Sequence, residues 1–237
     1  MITISAFLNW ADKSYFCFAV ALYGIAMVYS LFLWRKGFQR DDWVVYGLIG
    51  VGLILHTIAM VQRGFSLKQC PITNLYEATA FIMWTMVAGY LVVGLWQRFR
   101  FIGAFASPLL FILGVFALFP DMDPKVLPGK HQFSGALSSL HKAFLLLSFG
   151  GFGLSAVGAV MYLTQENDLK LHKFRAILSK LPSLERLEKA MSVILWVSFV
   201  LLTAGLVTSS AYLHATNKVW FKPDPEMLWT LGIWFFY

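Results

Sequence analysis

Apolar residues run along this chain in long blocks separated by short polar or charged breaks. The first block, Tyr15 to Trp34, carries no charge. At 1.5 Å rise per residue, about 20 helical residues cover the ~30 Å hydrocarbon core of a bilayer. Trp43 to Val61, Ala78 to Trp96, Phe101 to Phe119, Leu140 to Leu163 and Met191 to Tyr212 repeat the pattern, and Met227 to Tyr237 begins another block. The spacing predicts an all-α protein: a polytopic transmembrane helix bundle with six full spans and a partial seventh, residues 1–237 forming a single transmembrane domain. The breaks are a polar stretch from Gln62 to Thr73 containing Gly64 and Pro71, a proline-bearing loop from Pro120 to Ser139, a charged connector at 164–189 and an aromatic loop at 214–226. No internal repeat stands out.

Charge then orients the pattern. Arg35, Lys36, Arg40, Arg98, Arg100, Lys170, Lys173, Arg175, Lys180, Arg186 and Lys189 fall in alternate breaks, which leaves 8 of the 19 basic residues for the other side. Lys and Arg near span ends favour the cytoplasmic face. The N-terminus is therefore expected outside, together with the loops at 62–77, 120–139 and 214–226. The connector is expected at the inner face. Within it Leu178, Leu181, Leu184 and Leu187 recur among charged residues. That pattern fits either a short amphipathic surface helix or an ordinary solvated connector. Pro182 and Ser183 form a helix-start signal before the sixth span.

Composition agrees with the membrane reading. Hydrophobic residues make up 59% of the 237, charged residues 13%, and mean hydropathy is +0.68. Soluble domains carry about a quarter charged residues, and the excess apolar surface here needs lipid. The net charge of +7 is a topology signal and does not point to nucleic acid. Cys17 and Cys70 lie far apart and suggest no disulfide framework. The first block has no small-residue cleavage site after it and reads as a span rather than a removable leader. Nucleotide-binding glycine loops and zinc-type motifs are absent from the sequence. Duplicated halves, which would suggest a transporter, are not evident.

An ionisable residue inside a span is a functional candidate because lipid penalises it. His56 sits near the middle of the second span, as an iron ligand or as a histidine bonded to a neighbouring helix. His141 stands at the outer end of the fifth span, either facing water or holding a metal or cofactor. His214 ends the sixth span. His131 and His172 fall in polar segments and read as solvated. Asn74 and Glu77 lead into the third span; Asn74 is placed to cap that helix and Glu77 to meet its dipole. Trp220, Phe221, Asp224, Pro225, Trp229 and Trp234 form an aromatic group around an Asp-Pro step.

These segments together resemble the cytochrome c assembly family of haem-handling membrane proteins, in its CcsA, CcmC and HemX-like branches. Leu55-His56-Thr57, Arg63-Gly64 and Pro71-Ile72-Thr73-Asn74-Leu75-Tyr76-Glu77, with Phe81 and Trp84, match the family's early signature. Leu140-His141 with Phe152, Tyr162-Leu163 and Gln165-Glu166 resembles the helix that carries its first outer-face histidine. Leu181 to Glu185, with Leu187-Glu188, resembles the HemX-like connector. Asp224, Pro225, Trp229, Trp234 and Tyr237 match its Trp-rich motif, while Phe221, Pro223, Glu226 and Met227 depart from it. The family pattern continues into a further helix pair with a second outer-face histidine, beyond the last residue here. Incomplete iron ligation by this chain is the resulting expectation.

The resemblance implies haem b as cofactor, with His141 as the iron ligand. His56, Trp220, Phe221, Asp224, Trp229 and Trp234 are the other haem-site candidates. It implies haem binding and presentation in cytochrome c maturation at a bacterial cytoplasmic (inner) membrane, alongside other maturation proteins. The chain itself makes no covalent bond in that reading. The alternative is a non-catalytic subunit or assembly factor that keeps the fold without a working haem site.

Overall fold

The computed structural model describes residues 2–36, 42–67, 74–123, 136–171, 182–221 and 223–237, and contains no strand among them. Among the described residues seven α-helices follow in order: α1 (Ile2–Lys36), α2 (Asp42–Leu67), α3 (Leu75–Val93), α4 (Ile102–Ala117), α5 (Ala136–Lys170), α6 (Leu184–Asn217) and α7 (Pro225–Phe236). Five are long and apolar enough to cross a membrane, while α4 and α7 are shorter apolar helices. The protein is a polytopic helical membrane bundle.

Helix ends differ from the hydropathy breaks because polar residues continue a helix once it has started. Thr164 to Lys170 extends α5 and Leu184 to Lys189 begins α6, so both ends of the expected connector are helical. α6 likewise runs through His214 to Asn217, and α7 begins at Pro225. The fourth expected span is the short α4, which continues through Pro108. Cys70, His131, His172 and residues 173–181 of the expected connector lie outside the described residues.

Side-chain contacts show that successive helices alternate in direction. Tyr23 of α1 meets Gly52 and His56 of α2. Trp84 of α3 donates to Thr57 of α2 at 2.9 Å. Gly103 of α4 lies against Tyr90 of α3. Between α5 and α6 the pairs are His141 with Gly205, Gly151 with Ser198 and Gln165 with Pro182, an antiparallel register. Trp234 of α7 meets Phe199 and Thr203 of α6. Two helices that are not neighbours in sequence, α3 and α5, run parallel: Thr85 faces Gly150 and Gly89 faces Leu154. A Cβ on Gly150 would fall on Thr85 Oγ1, so this crossing needs a glycine.

α1 to α4, with one face of α5, enclose the main core, which holds Phe16, Tyr23, Ile49, Met83, Tyr90, Ile102 and Leu110. Lipid tails are as apolar as these side chains. Close packing and interhelical hydrogen bonds therefore hold the helices together more than water exclusion does. Tyr46 donates to the Leu91 carbonyl at 2.8 Å and Tyr90 to the Arg100 carbonyl at 2.9 Å. Arg100 places its guanidinium 3.7 Å from the centre of the Trp43 ring and donates to the Gly94 carbonyl. The start of α6 joins this core through Leu187 and Met191, and α6 turns Val193, Trp196, Val200 and Val207 outward.

Candidate functional site

Two polar constellations occur at one end of the bundle, the end where α2 finishes and α3 and α5 start. The first lies among α5, α6 and the start of α7. His141 is in the second turn of α5, and its Nδ1 is 2.8 Å from the Gly205 carbonyl of α6. A carbonyl only accepts, so Nδ1 carries the proton. The ring borders a cavity of about 210 Å³, also lined by Ser138, Lys142, Tyr212, Asp224, Met227 and Thr230. His141 and Asp224, candidates from distant parts of the sequence, are thus brought to one space.

The aromatic segment is arranged around the end of α6. Lys218 takes a left-handed conformation, φ 59°, and its N–H bonds the His214 carbonyl. This reverses the chain and lays Trp220 flat on His214, ring centres 4.0 Å apart and planes within 9°. Trp220 and Phe221 remain exposed. Asp224 takes the N-cap position of α7 and Pro225 its first turn, where a missing N–H costs nothing. Trp229 is 71% exposed. Trp234 turns instead to α6, donating to Thr203 Oγ1 at 3.0 Å and stacking on Phe199. Neither Trp229 nor Trp234 lines the His141 cavity.

The second constellation joins α1, α2, α3 and the segment after α4. Asn74 caps α3: its Oδ1 accepts from the Glu77 N–H at 2.8 Å, as its place in the sequence predicts. Glu77 does more than meet the helix dipole. Its Oε1 accepts from Arg63 Nε at 2.9 Å, and both side chains are almost fully buried. Arg63 also reaches Asp123 at 2.6 Å, and Asp123 takes Lys13 on its other oxygen at 2.6 Å. Asn74 Nδ2 donates to Asp123 at 2.7 Å. Burial alone would raise the Asp123 carboxyl. The hydrogen bond from Lys13 and the charge of Arg63 outweigh it and hold the group below its ordinary value. Lys13 and Asp123 were not candidates in the sequence; the only signal is that charged residues flank apolar blocks.

His56 lies two turns below Arg63 on α2 and is fully buried. Tyr23 Oη is 3.4 Å from its Nδ1 and the Phe16 ring meets it edge-on at 4.9 Å. The nearby space beneath Arg63 and Glu77 is about 10 Å³, room for one water. His56 and His141 belong to different helix clusters.

Whether these residues suit haem can be tested on the donor set. A histidine that donates its second ring nitrogen to a backbone carbonyl is the usual form of a metal-bound imidazole. His141 has that form. Hydroxyls, Lys142 and an apolar wall complete a surface suited to a flat apolar ring with carboxylates. The cavity is below the ~300–1,000 Å³ of typical ligand pockets, so part of any such ring stands outside it. Among the described residues no group of three or more His, Cys, Asp or Glu could hold a bare metal ion.

Similarity to known proteins bears on the same residues. CcsA, a cytochrome c biogenesis protein of Trieres chinensis, is 23% identical over 92% of this chain and 77% of its own length. HemX of Bacillus subtilis (strain 168) is 23% identical over 85% of this chain and 74% of its own. HemX of Brevibacillus brevis is 24% identical over 71% and 62%. The pattern of the family described as Cytochrome C assembly protein matches residues 72–237, which include Asn74, Glu77, His141 and the whole aromatic segment. The chain belongs to the cytochrome c assembly protein family.

Proposed function

We propose that this protein binds haem b at the α5–α6–α7 end of the bundle and presents it for cytochrome c maturation. The observation that carries this is His141, anchored through Nδ1 to the Gly205 carbonyl and bordering one cavity with Asp224. When bound, haem supplies the iron centre that is to be delivered. The chain's own residues hold and expose it. His141 offers Nε2 to the iron. Ser138, Lys142 and Thr230 offer hydrogen-bond donors to propionates or ordered water at the cavity. Trp220, Phe221 and Trp229 provide exposed aromatic surface on the same side. A cavity smaller than the ring suits transfer to a partner better than storage. His56 is proposed to serve helix packing, with Tyr23 and Phe16 as its neighbours. Covalent attachment of haem belongs to partner proteins of the same maturation system. The setting proposed is the cytoplasmic membrane of a bacterium, with the His141 end outside.

A second reading is a non-catalytic subunit that keeps the fold without a haem site. Trp234, committed to Thr203 and Phe199, favours it. Absorbance of the purified protein separates the two. The expected result is a haem spectrum in the wild type that weakens in His141→Ala and returns with added imidazole. Equal haem content and identical spectra in both proteins remove His141 from the site. No haem in the wild type, even with haem in excess, selects the second reading.

A further inference from the structure

We infer that the Gly205 backbone carbonyl is a positioning group that fixes the tautomer and direction of His141; this rests on the haem reading of the site. The contact joins α5 to the middle of α6. Nδ1 lies 2.8 Å from the Gly205 oxygen, within ordinary hydrogen-bond distance. The glycine is what permits it. A Cβ at residue 205 would stand 2.6 Å from Leu145 Cδ2, 3.1 Å from its Cγ and 3.4 Å from its backbone nitrogen. Leu145 is one turn beyond His141 on the same face of α5. A side chain at residue 205 would therefore force Leu145, one turn from His141, or the helix contact itself to shift.

The carbonyl is shared. Thr208 Oγ1 lies 3.0 Å from it and 2.8 Å from the Ala204 carbonyl. A carbonyl oxygen has two lone pairs, so His141 and the helix's own donors compete for it. The imidazole still has one consistent role. The Nδ1–H form keeps the contact, whereas the Nε2–H form would set a bare nitrogen against a carbonyl oxygen. In the neutral Nδ1–H tautomer the lone pair that a ligand nitrogen needs is on Nε2. Donation through Nδ1–H also makes the ring a stronger electron donor, as second-sphere partners of metal-bound histidines do. The consequence reaches beyond ligand identity: Gly205 sets how firmly haem is held and at what potential, without touching haem.

The test uses the full-length protein in detergent, with three readouts. First, ¹⁵N-histidine NMR of the haem-free protein at mildly alkaline pH should show the His141 signal, assigned by its loss in His141→Ala, as the Nδ1–H tautomer. Second, Gly205→Ala should move that signal toward the Nε2–H form, weaken haem retention by about tenfold or more and raise the midpoint potential. Third, Gly205→Ala combined with Leu145→Ala should recover tautomer and retention, because the added methyl then has space. Thermal unfolding of each variant separates a local change from loss of fold. An Nε2–H tautomer in the wild type overturns the inference. So does a folded Gly205→Ala variant with unchanged tautomer, retention and potential. A wild type that shows the Nδ1–H signal and binds no haem removes the functional reading and leaves the positioning contact standing.

Discussion

Asn74 uses both ends of its amide: Oδ1 caps α3 at the Glu77 N–H and Nδ2 donates to Asp123. Losing a cap alone costs about 1 kcal/mol. Asn74→Ala should cost about 1–2 kcal/mol in detergent unfolding, because the second bond goes with it. Arg63→Ala should cost more, about 3–5 kcal/mol, since it removes a cation that pairs with the buried Glu77 and one of the two that pair with Asp123. The Arg63→Ala, Glu77→Ala double variant should unfold less readily than Arg63→Ala alone, and a deficit equal to the sum of the single variants would refute the coupling. Asp123 adds a pH dependence of known sign. Its folded value is lowered, so its contribution is complete above the ordinary carboxylate value of about 3.9. It is lost as pH falls through the lowered folded value. Wild-type stability should therefore drop across that acidic window while Asp123→Asn stays flatter, as thermal unfolding at stepped pH would show.

At the scale of the element, legibility depended on how local the signal was. The cap of α3 lies within four residues and could be read directly from Asn74 and Glu77. The Pro225 start of α7 lay in an equally short signal. The Arg63–Asp123 pair spans 60 residues and has no sequence period to announce it. Nor does the Gly205 carbonyl, a backbone atom in a run that reads only as apolar. α7 is apolar nearly all round, so its pattern left the helix phase open. Packing chose a phase that directs Trp234 to α6 and leaves Trp229 exposed. Helix ends were blurred where charged residues continue a turn, as at Glu166 and Lys170, which pair at 2.7 Å on α5. The end of α6 offers a test at this scale. Lys218 holds a left-handed φ of 59°, which costs a side chain of this kind about 1–2 kcal/mol and glycine almost nothing. Lys218→Gly should stabilise the protein by up to about 1 kcal/mol, glycine's greater freedom in the unfolded chain offsetting part of the relief. A lower unfolding temperature would show that the Lys218 side chain makes a contact worth more than the strain.

For the whole molecule, the alternation of hydropathy blocks foretold the antiparallel order of neighbours, and the parallel α3–α5 crossing then follows from counting turns. That geometry gathers Lys13, Arg63, Asn74, Asp123, His141 and the aromatic loop at one end, with Arg98, Arg100 and the connector side of α5 and α6 at the other. Which end faces out is an expectation from the basic residues near the helix ends. The basic residues grouped at span ends lead to the expectation of a cytoplasmic connector, and the proposed haem-presenting site would need the opposite face. The two expectations are independent. A cysteine scan in intact cells tests them together, in a background with Cys17 and Cys70 replaced by Ser. A single Cys at Lys218 should react with a membrane-impermeant maleimide added outside, while one at Lys180 should react only after the membrane is opened. Labelling of Lys180→Cys from outside would invert the molecule, put the His141 cavity at the cytoplasmic face and rule out delivery of haem to the outer side from this site.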